Sequence, residues 1–287
     1  MFSIFEILPE PAPQIRIVDV GAQWDPVAGE AYTALLKDGR ATVLGFEPDV
    51  SECDRLNARG GGAHTYLPCV AGDGSRRTFY VCNDSRTSSL YEPNTPLLEK
   101  FNNLENLCRV VGTSEVETIR LDDQEQARDT DFLKLDVQGG EADVLRGAER
   151  VLEETVVVHT EVEFVPLYRR QPLFAEIDQL LRSLGFLFHK FAGLAGRSFQ
   201  PIVVNNDLNR GLSQLLWADA VYVKSFLGFD QLLPAKLLKL AVILHEVYFS
   251  FDLSALALRH YDLQAGTRLA DAYLERLVRA AWSPSRT

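Results

Sequence analysis

Residues 131–153 read D-F-L-K-L-D-V-Q-G-G-E-A-D-V-L-R-G-A-E-R-V-L-E, and the fold follows from how this stretch is parsed. Phe132, Leu133, Leu135 and Val137 make a short apolar run that breaks at Gly139-Gly140, the pattern of a buried strand closed by a turn. The period then changes: Ala142, Leu145, Ala148, Val151 and Leu152 fall at helical spacing with charged residues between them. Asp136 stands at the strand's C-terminal end, the edge at which open α/β sheets bind ligands. It either offers a carboxylate to such a site or helps to cap the following helix.

The N-terminal part repeats this logic. Residues 15–20 form an apolar run ending in Asp19-Val20-Gly21-Ala22, a strand followed by a turn at which glycine lets the chain pass close to a ligand. Residues 29–39 read as a helix closed by glycine, and residues 41–46 as a second strand that Glu47-Pro48 terminates. Residues 50–58 suit a second helix. The β-α-β unit thus carries an acid at the end of its second strand, as in crossovers where a carboxylate accepts the two ribose hydroxyls of a nucleoside. The closely spaced glycines of G-x-G-x-x-G are missing, since Gly29 is the next glycine after Gly21, and no G-x-x-x-x-G-K-[ST] occurs. Without them the backbone has no ready cradle for a pyrophosphate. A nucleoside without phosphates remains, and S-adenosylmethionine fits. Alternatively, Asp19 and Glu47 are ordinary strand-end acids.

Further along, residues 64–71 read as a third strand running into the turn Gly72-Asp73-Gly74, residues 77–82 as a hairpin arm, and residues 83–89 as a polar loop. Residues 116–121 are strand-like. Residues 155–164, T-V-V-V-H-T-E-V-E-F, are a buried strand whose alternation puts His159, Glu161 and Glu163 on one face. Residues 174–184 make an amphipathic helix ended by Gly185, and two strands follow at 186–191 and 216–224. The expected fold is a doubly wound, mostly parallel seven-stranded α/β sheet of Rossmann type, with its switch point between the first strand and the strand of Asp136.

Length and composition agree. The 287 residues, 46% of them hydrophobic, suffice for one large α/β domain with additions. A formal net charge of −11 argues against a general binder of nucleic acid or anionic membrane, both of which demand basic surface. Cys53, Cys69, Cys82 and Cys108 form no C-x-x-C pair, so buried thiols in a reducing, cytoplasmic setting are expected, with no metal site. The N-terminus lacks the basic region of a secretory signal. His245-Glu246 begins like H-E-x-x-H, but Phe249 stands where the second ligand belongs.

The ordered series D-V-G-A, F-E-P, A-G-D-G, F-L-K-L-D-V-Q-G-G-E-x-x-V-L-R-G-A, H-T-E-V-E-F and F-A-E-I-D-Q-L-L-R-S-L-G-F resembles the FkbM-type methyltransferases across residues 15–225. That resemblance implies a class I Rossmann-like fold, S-adenosylmethionine as methyl donor, and a hydroxyl on a small polar metabolite of sugar or polyketide type as acceptor. It implies that Asp19, Val20, Gly21, Ala22 and Gln23 lie along the methionine end of the cofactor, Glu47 and Pro48 at the ribose, and Asp73 and Gly74 at the adenine. Ser88 or Ser89, with Asp136 and Val137, would form the opposite wall. Gln23 and Gln138 depart from the family pattern, which has Asn and Glu there, and Gln138 removes a charge beside the expected methyl position.

A hydroxyl is a poor nucleophile until a base draws its proton away. Asp136, Glu161 and His159 are the candidate bases, with Glu163 a fourth, although His159 fits a core role and ion pairs would account for the glutamates. The rival reading is a non-catalytic relative that binds the cofactor or a partner without turnover. Residues 226–287 fall outside the resemblance. Residues 231–258 are strongly apolar, yet Lys236, Lys239, His245, Glu246 and Asp252 interrupt them, so no membrane span is expected. With an amphipathic helix at 267–281, this region forms a helical extension for core packing, cleft covering or homodimerisation.

Overall fold

A computed structural model describes residues 2–23, 29–60 and 62–282. Its nine strands are β1 (Ile15–Val20), β2 (Ala41–Phe46), β3 (His64–Leu67), β4 (Arg76–Cys82), β5 (Val110–Glu117), β6 (Phe132–Leu135), β7 (Val157–Glu163), β8 (Phe186–Ala195) and β9 (Trp217–Lys224). Seven of them form one sheet in the order β3-β2-β1-β6-β7-β9-β8. The pairs from β3 to β7 are parallel, and β9 joins antiparallel to both β7 and β8. The fold is the doubly wound, mostly parallel sheet expected, with β1 and β6 adjacent at the point where the strand order reverses. Among the described residues, β4 and β5 form a separate two-stranded antiparallel ribbon, with Tyr80 of β4 also bridged to Ser89.

The α-helices among the described residues are α1 (Thr33–Leu36), α2 (Val50–Arg59), α3 (Thr95–Leu98), α4 (Leu104–Leu107), α5 (Glu141–Arg146), α6 (Glu149–Glu154), α7 (Phe174–Ser183), α8 (Pro234–Glu246), α9 (Phe251–Ala265) and α10 (Leu269–Trp282). The period change after β6 is real, but Gly147 divides the helical run into α5 and α6. Their apolar stripe, with Ile177 and Leu181 of α7, packs on Val18, Leu133, Leu135 and Val158 of the sheet. On the opposite face, Leu237, Leu240, Ala241 and Leu244 of α8 and Leu258 of α9 share a core with Ile15, Ile17, Phe132 and Val157. Among the described residues no helix is long and apolar enough to cross a membrane.

Three elements differ from expectation for physical reasons. The helix read at 29–39 shortens to α1 plus a 3-10 turn at Lys37–Gly39, because Tyr32 is drawn into the core, where its hydroxyl bonds to Asp19. The third strand stops at Leu67, before Pro68, which cannot donate to a ladder. The strand read at 116–121 lies earlier, at Val110–Glu117; nearly all of β5 is exposed, so burial imposes no alternation on it.

Asp131, at the N-terminal edge of β6, joins the last helices to the sheet. Its carboxylate is fully buried, accepts from the Arg16 amide at 2.9 Å, and pairs with Lys236 at 3.0 Å and Lys239 at 2.8 Å on α8. Removing the acid strips Lys239 of its paired carboxylate and leaves Lys236 with only the half-exposed Glu154 at 3.4 Å, a costly state. Asp131→Ala is expected to destabilise the protein by about 3 kcal/mol, read as a lowered urea midpoint at unchanged m. A loss below about 1 kcal/mol would show that α8 is held by apolar packing alone.

Candidate active site

The ends of β1 and β6 approach unusually closely. A β-carbon on Gly21, whose φ is +79°, would lie 1.9 Å from the Asp136 carbonyl oxygen, so no other residue fits there without a backbone shift. Beside this contact, at the C-terminal edge of the sheet, a cleft of about 190 Å³ opens. Val20, Gly21 and Gln23 form one wall, Phe46, Glu47 and Pro48 another, and Asp136, Val137 and Gln138 the floor. Cys69, Val70, Ala71, Phe79 and Leu90 supply apolar surface, and Ser85, Arg86 and Ser88 complete the mouth. A shallower lobe of about 580 Å³ adjoins it, sharing Glu47, Cys69, Val70 and Phe79 and extending over Ser114, Val116 and Ile119.

The β4–β5 ribbon closes the cleft from above. Arg77 of β4 pairs with Asp143 of α5 at 2.9 Å, and the Tyr91 hydroxyl donates to the same carboxylate at 2.8 Å. This anchor brings Phe79 over the cleft. Across the mouth, the Gln23 side chain donates to Ser85 Oγ at 3.0 Å.

The acid at the end of β2 sits as its position in the sequence suggested. Glu47 is 7% exposed and accepts from the Asp49 amide at 2.9 Å. Burial, with Asp49, Glu52 and Asp19 as like-charged neighbours, outweighs that hydrogen bond and pushes its carboxyl up to about 7.

Several expected residues stand just outside the cleft. Asp19 is fully buried behind it, accepting from the Tyr32 hydroxyl at 2.6 Å and paired with Lys134 at 3.0 Å. Burial works against the Lys134 charge, but Asp19, Asp136 and Glu30 outweigh it and hold the ammonium above the usual lysine range. Ala22 is buried in the core beside β2. Asp73 accepts from the Ser75 amide and hydroxyl within its own turn, and Gly74 donates to Thr118 Oγ1; neither lines the cleft. Ser89 acts one step back, its hydroxyl donating to the Gln138 carbonyl at 2.6 Å.

Of the candidate bases, Asp136 lines the cleft. Glu161 reaches it through Gln138, whose amide nitrogen lies 2.7 Å from Glu161 Oε2 and 2.8 Å from Asp136 Oδ1. Both ring nitrogens of His159 are engaged away from the cleft, Nδ1 with the Tyr248 hydroxyl at 3.0 Å and Nε2 with Asp219 at 3.4 Å. Burial, then Asp136, Glu163 and Glu141, raises the Glu161 carboxyl well above its ordinary value. Glu141 caps the turn by accepting from the Val137 amide at 2.9 Å, and burial raises its carboxyl to about 7. Among the described residues no group of three or more His, Cys, Asp or Glu side chains is arranged to hold a metal.

Phe79, Leu90 and Ser85 were not singled out as site residues from the sequence, and Phe79 and Leu90 carry no signal beyond being apolar. Gln138 was noted only as a departure from the family pattern beside the expected methyl position; the structure places it in the cleft, with φ +57°.

The family model described as "Methyltransferase FkbM domain" matches residues 19–188. The 2-O-methyltransferase NoeI of Sinorhizobium fredii (strain NBRC 101917 / NGR234) is 27% identical over 187 residues, covering 62% of this chain and 75% of that protein. Among solved structures, magnesium protoporphyrin IX methyltransferase (ChlM) from Synechocystis PCC 6803 with bound SAM is 11% identical, with a TM-score of 0.37 over 74% of this chain and 71% of that one. An S-adenosylmethionine-dependent methyltransferase from Mesorhizobium loti is 12% identical, with a TM-score of 0.36 over 77% of this chain and 95% of that one.

The raised carboxyls make stability fall as pH rises. At pH 6 the folded chain keeps protons on Glu47 and Glu141, at about 7, that the unfolded chain, with ordinary glutamates, has already released. That advantage is present at low pH and lost as pH rises through about 7. From pH 6 to 8 the protein without ligand is expected to lose about 1 kcal/mol for each group, read from urea midpoints. Glu47→Gln should flatten part of that slope, and a stability that increases over this interval would contradict the assignment.

Proposed function

This chain belongs to the FkbM methyltransferase family, and from that premise we propose that it methylates a hydroxyl oxygen of a small polar metabolite with S-adenosylmethionine as donor. The observation that carries the reading is the cleft at the β1–β6 switch point, with a buried carboxylate at the end of β2 and no glycine-rich cradle for phosphates. Those residues suit an adenosyl group. Glu47 would accept hydrogen bonds from the ribose hydroxyls, Phe46, Val70, Phe79 and Leu90 offer apolar surface to the base, and Gly21 admits the methionine end beside Asp136. The likeness to a protein named a 2-O-methyltransferase supports an oxygen acceptor.

When bound, the donor supplies an activated methyl on a positively charged sulfur, so the protein has little covalent chemistry to perform. Its residues orient, exclude water and manage a proton. The Asp136 carboxylate on the floor balances positive charge in a cleft of low dielectric. Asp136 and Glu161 are the groups placed to take the acceptor's proton, and a carboxyl held above its ordinary value by burial is a stronger base when it ionises. The Gln23–Ser85 contact and the β4–β5 ribbon restrict access of water to the floor.

Glu47→Ala is expected to weaken adenosylhomocysteine binding by about 1–3 kcal/mol in calorimetry, through lost hydrogen bonds to the ribose. With a free carboxyl near 7, affinity should decline about tenfold for each pH unit below 7, since the protonated form accepts poorly. The variant should lose that dependence. No heat and no thermal shift with the unaltered protein would overturn the cofactor assignment. Binding without methyl transfer across a panel of hydroxyl acceptors would favour a binding-only relative.

A further inference from the structure

Between the cleft floor and β7, one side chain makes contacts that the methyl-transfer reading has not used. Gln138 sits in the left-handed region of the backbone, with φ +57°, which aims its side chain back across the strand ends. Its amide nitrogen is within hydrogen-bond distance of two carboxylates, Asp136 Oδ1 at 2.8 Å and Glu161 Oε2 at 2.7 Å. Its amide oxygen lies 3.1 Å from the Tyr168 hydroxyl, whose proton is shared with the Thr87 carbonyl at 2.9 Å. The Gln138 carbonyl accepts from Ser89 at 2.6 Å. The amide has one sensible orientation: turned over, it would set its oxygen against both carboxylates. Both Nε2 hydrogens are thus committed, one to each acid.

We propose that Gln138 is a positioning residue for methyl transfer, its amide clamping Asp136 and Glu161 in one geometry at the cleft floor and supplying the donors that favour their ionised forms. The inference rests on the methyl-donor reading above. Without the amide, two carboxylates at this separation in a desolvated site repel, and one takes up a proton. The groups facing Glu161 give little relief. Glu141 on α5, Glu163 on β7 and Asp219 on β9 are acids that raise its carboxyl further. His159 on β7 is paired with Asp219, and Lys134 on β6, ion-paired with Asp19, acts within the pair on Asp136. Tyr168 contributes a hydroxyl. Gln138 is thus the neutral donor that both acids of the pair share.

The test compares the dissociation constants of S-adenosylmethionine, which is cationic at sulfur, and adenosylhomocysteine, which is neutral there, by calorimetry on the full chain from pH 5.5 to 9. The ratio of the two constants reports the charge of the carboxylate pair and cancels contributions common to both ligands. In the unaltered protein, preference for the sulfonium should weaken at low pH, through the midpoint at which the pair gains a proton. Gln138→Met keeps length and shape and removes the donors. Hydrogen bonds to a carboxylate favour its ionised form, so the midpoint should move up by at least about one pH unit. Between the two midpoints the sulfonium preference should drop about tenfold. Adding Glu161→Gln to Gln138→Met should bring the midpoint back toward that of the unaltered protein, which loss of packing alone would not do. If Gln138→Met shows no cooperative thermal transition, Tyr168→Phe, which removes the hydroxyl at the amide oxygen, should give a smaller shift of the same sign.

A folded variant whose ratio stays within twofold of the unaltered protein at every pH overturns the inference and leaves the methyl-donor reading intact. A ratio independent of pH in both proteins does the same. Failure of the unaltered protein to bind either ligand overturns that reading, and this inference with it.

Discussion

The close passage of the Gly21 backbone over the Asp136 carbonyl sets the geometry at the switch point. The hydrogen bond from the Asp136 amide to the Val20 carbonyl, 3.0 Å, carries the β1–β6 ladder one residue beyond the strands. The chain then leaves both strands in a space that a single methyl group would fill. From that contact the β1 loop turns toward β2 and the β6 loop toward α5, and the cleft is the volume between them. Parallel strands whose connections depart to opposite faces leave such a crevice as a consequence of topology. The glycine determines how near the backbone stands to whatever occupies it.

Charge on the sheet face beneath the C-terminal helices is organised by height. At the lower edge Asp131 is met by two lysines of α8, and in the middle Asp19 is met by Lys134 and Tyr32. His159 and Asp219 form a further pair, in which the histidine holds the Asp219 carboxyl below its ordinary range despite burial. At the upper edge the balance changes. Burial and then other carboxylates raise Glu161, and burial with Asp49, Glu52 and Asp19 raises Glu47. Buried acids are ordinarily matched by a cation or neutralised by a proton. A sheet that matches them at its base and leaves them acid-rich at its mouth has its electrostatic stress where a cationic ligand would relieve it.

The helices after Ser225 contribute more to the molecule than an extension implies. Their apolar residues bury Ile15, Ile17, Phe132 and Val157, the same strands whose other ends make the cleft. Tyr248, at the end of α8, reaches His159, and Lys190 of β8 contacts the Tyr248 carbonyl. Position of the strand ends is thereby coupled to packing some distance below them, with Asp131 as a polar anchor beside the apolar contacts.

Much of this was readable from the chain. Short apolar runs ending in Asp19-Val20-Gly21, Phe46-Glu47-Pro48 and Leu135-Asp136 each reported a buried strand with an acid or glycine at its C-terminal edge, because burial on both faces demands an unbroken apolar run and a turn breaks it. The alternation at His159, Glu161 and Glu163 placed three polar groups on one face, and the 3.6-residue period located α7 and α10. By itself the sequence therefore determined the identity of most strands, their parallel arrangement and the edge at which the cleft opens. Only the tertiary structure decided which wall covers the cleft, since Phe79 reaches it through an ion pair between Arg77 and Asp143, sixty-six residues apart. The same holds for the partners of Gln138, drawn from β7 and from Tyr168. It also decided that Asp19 is consumed by Tyr32 and Lys134 behind the site. Periodicity records how much of an element is hidden from water, and it carries no information about which distant element does the hiding.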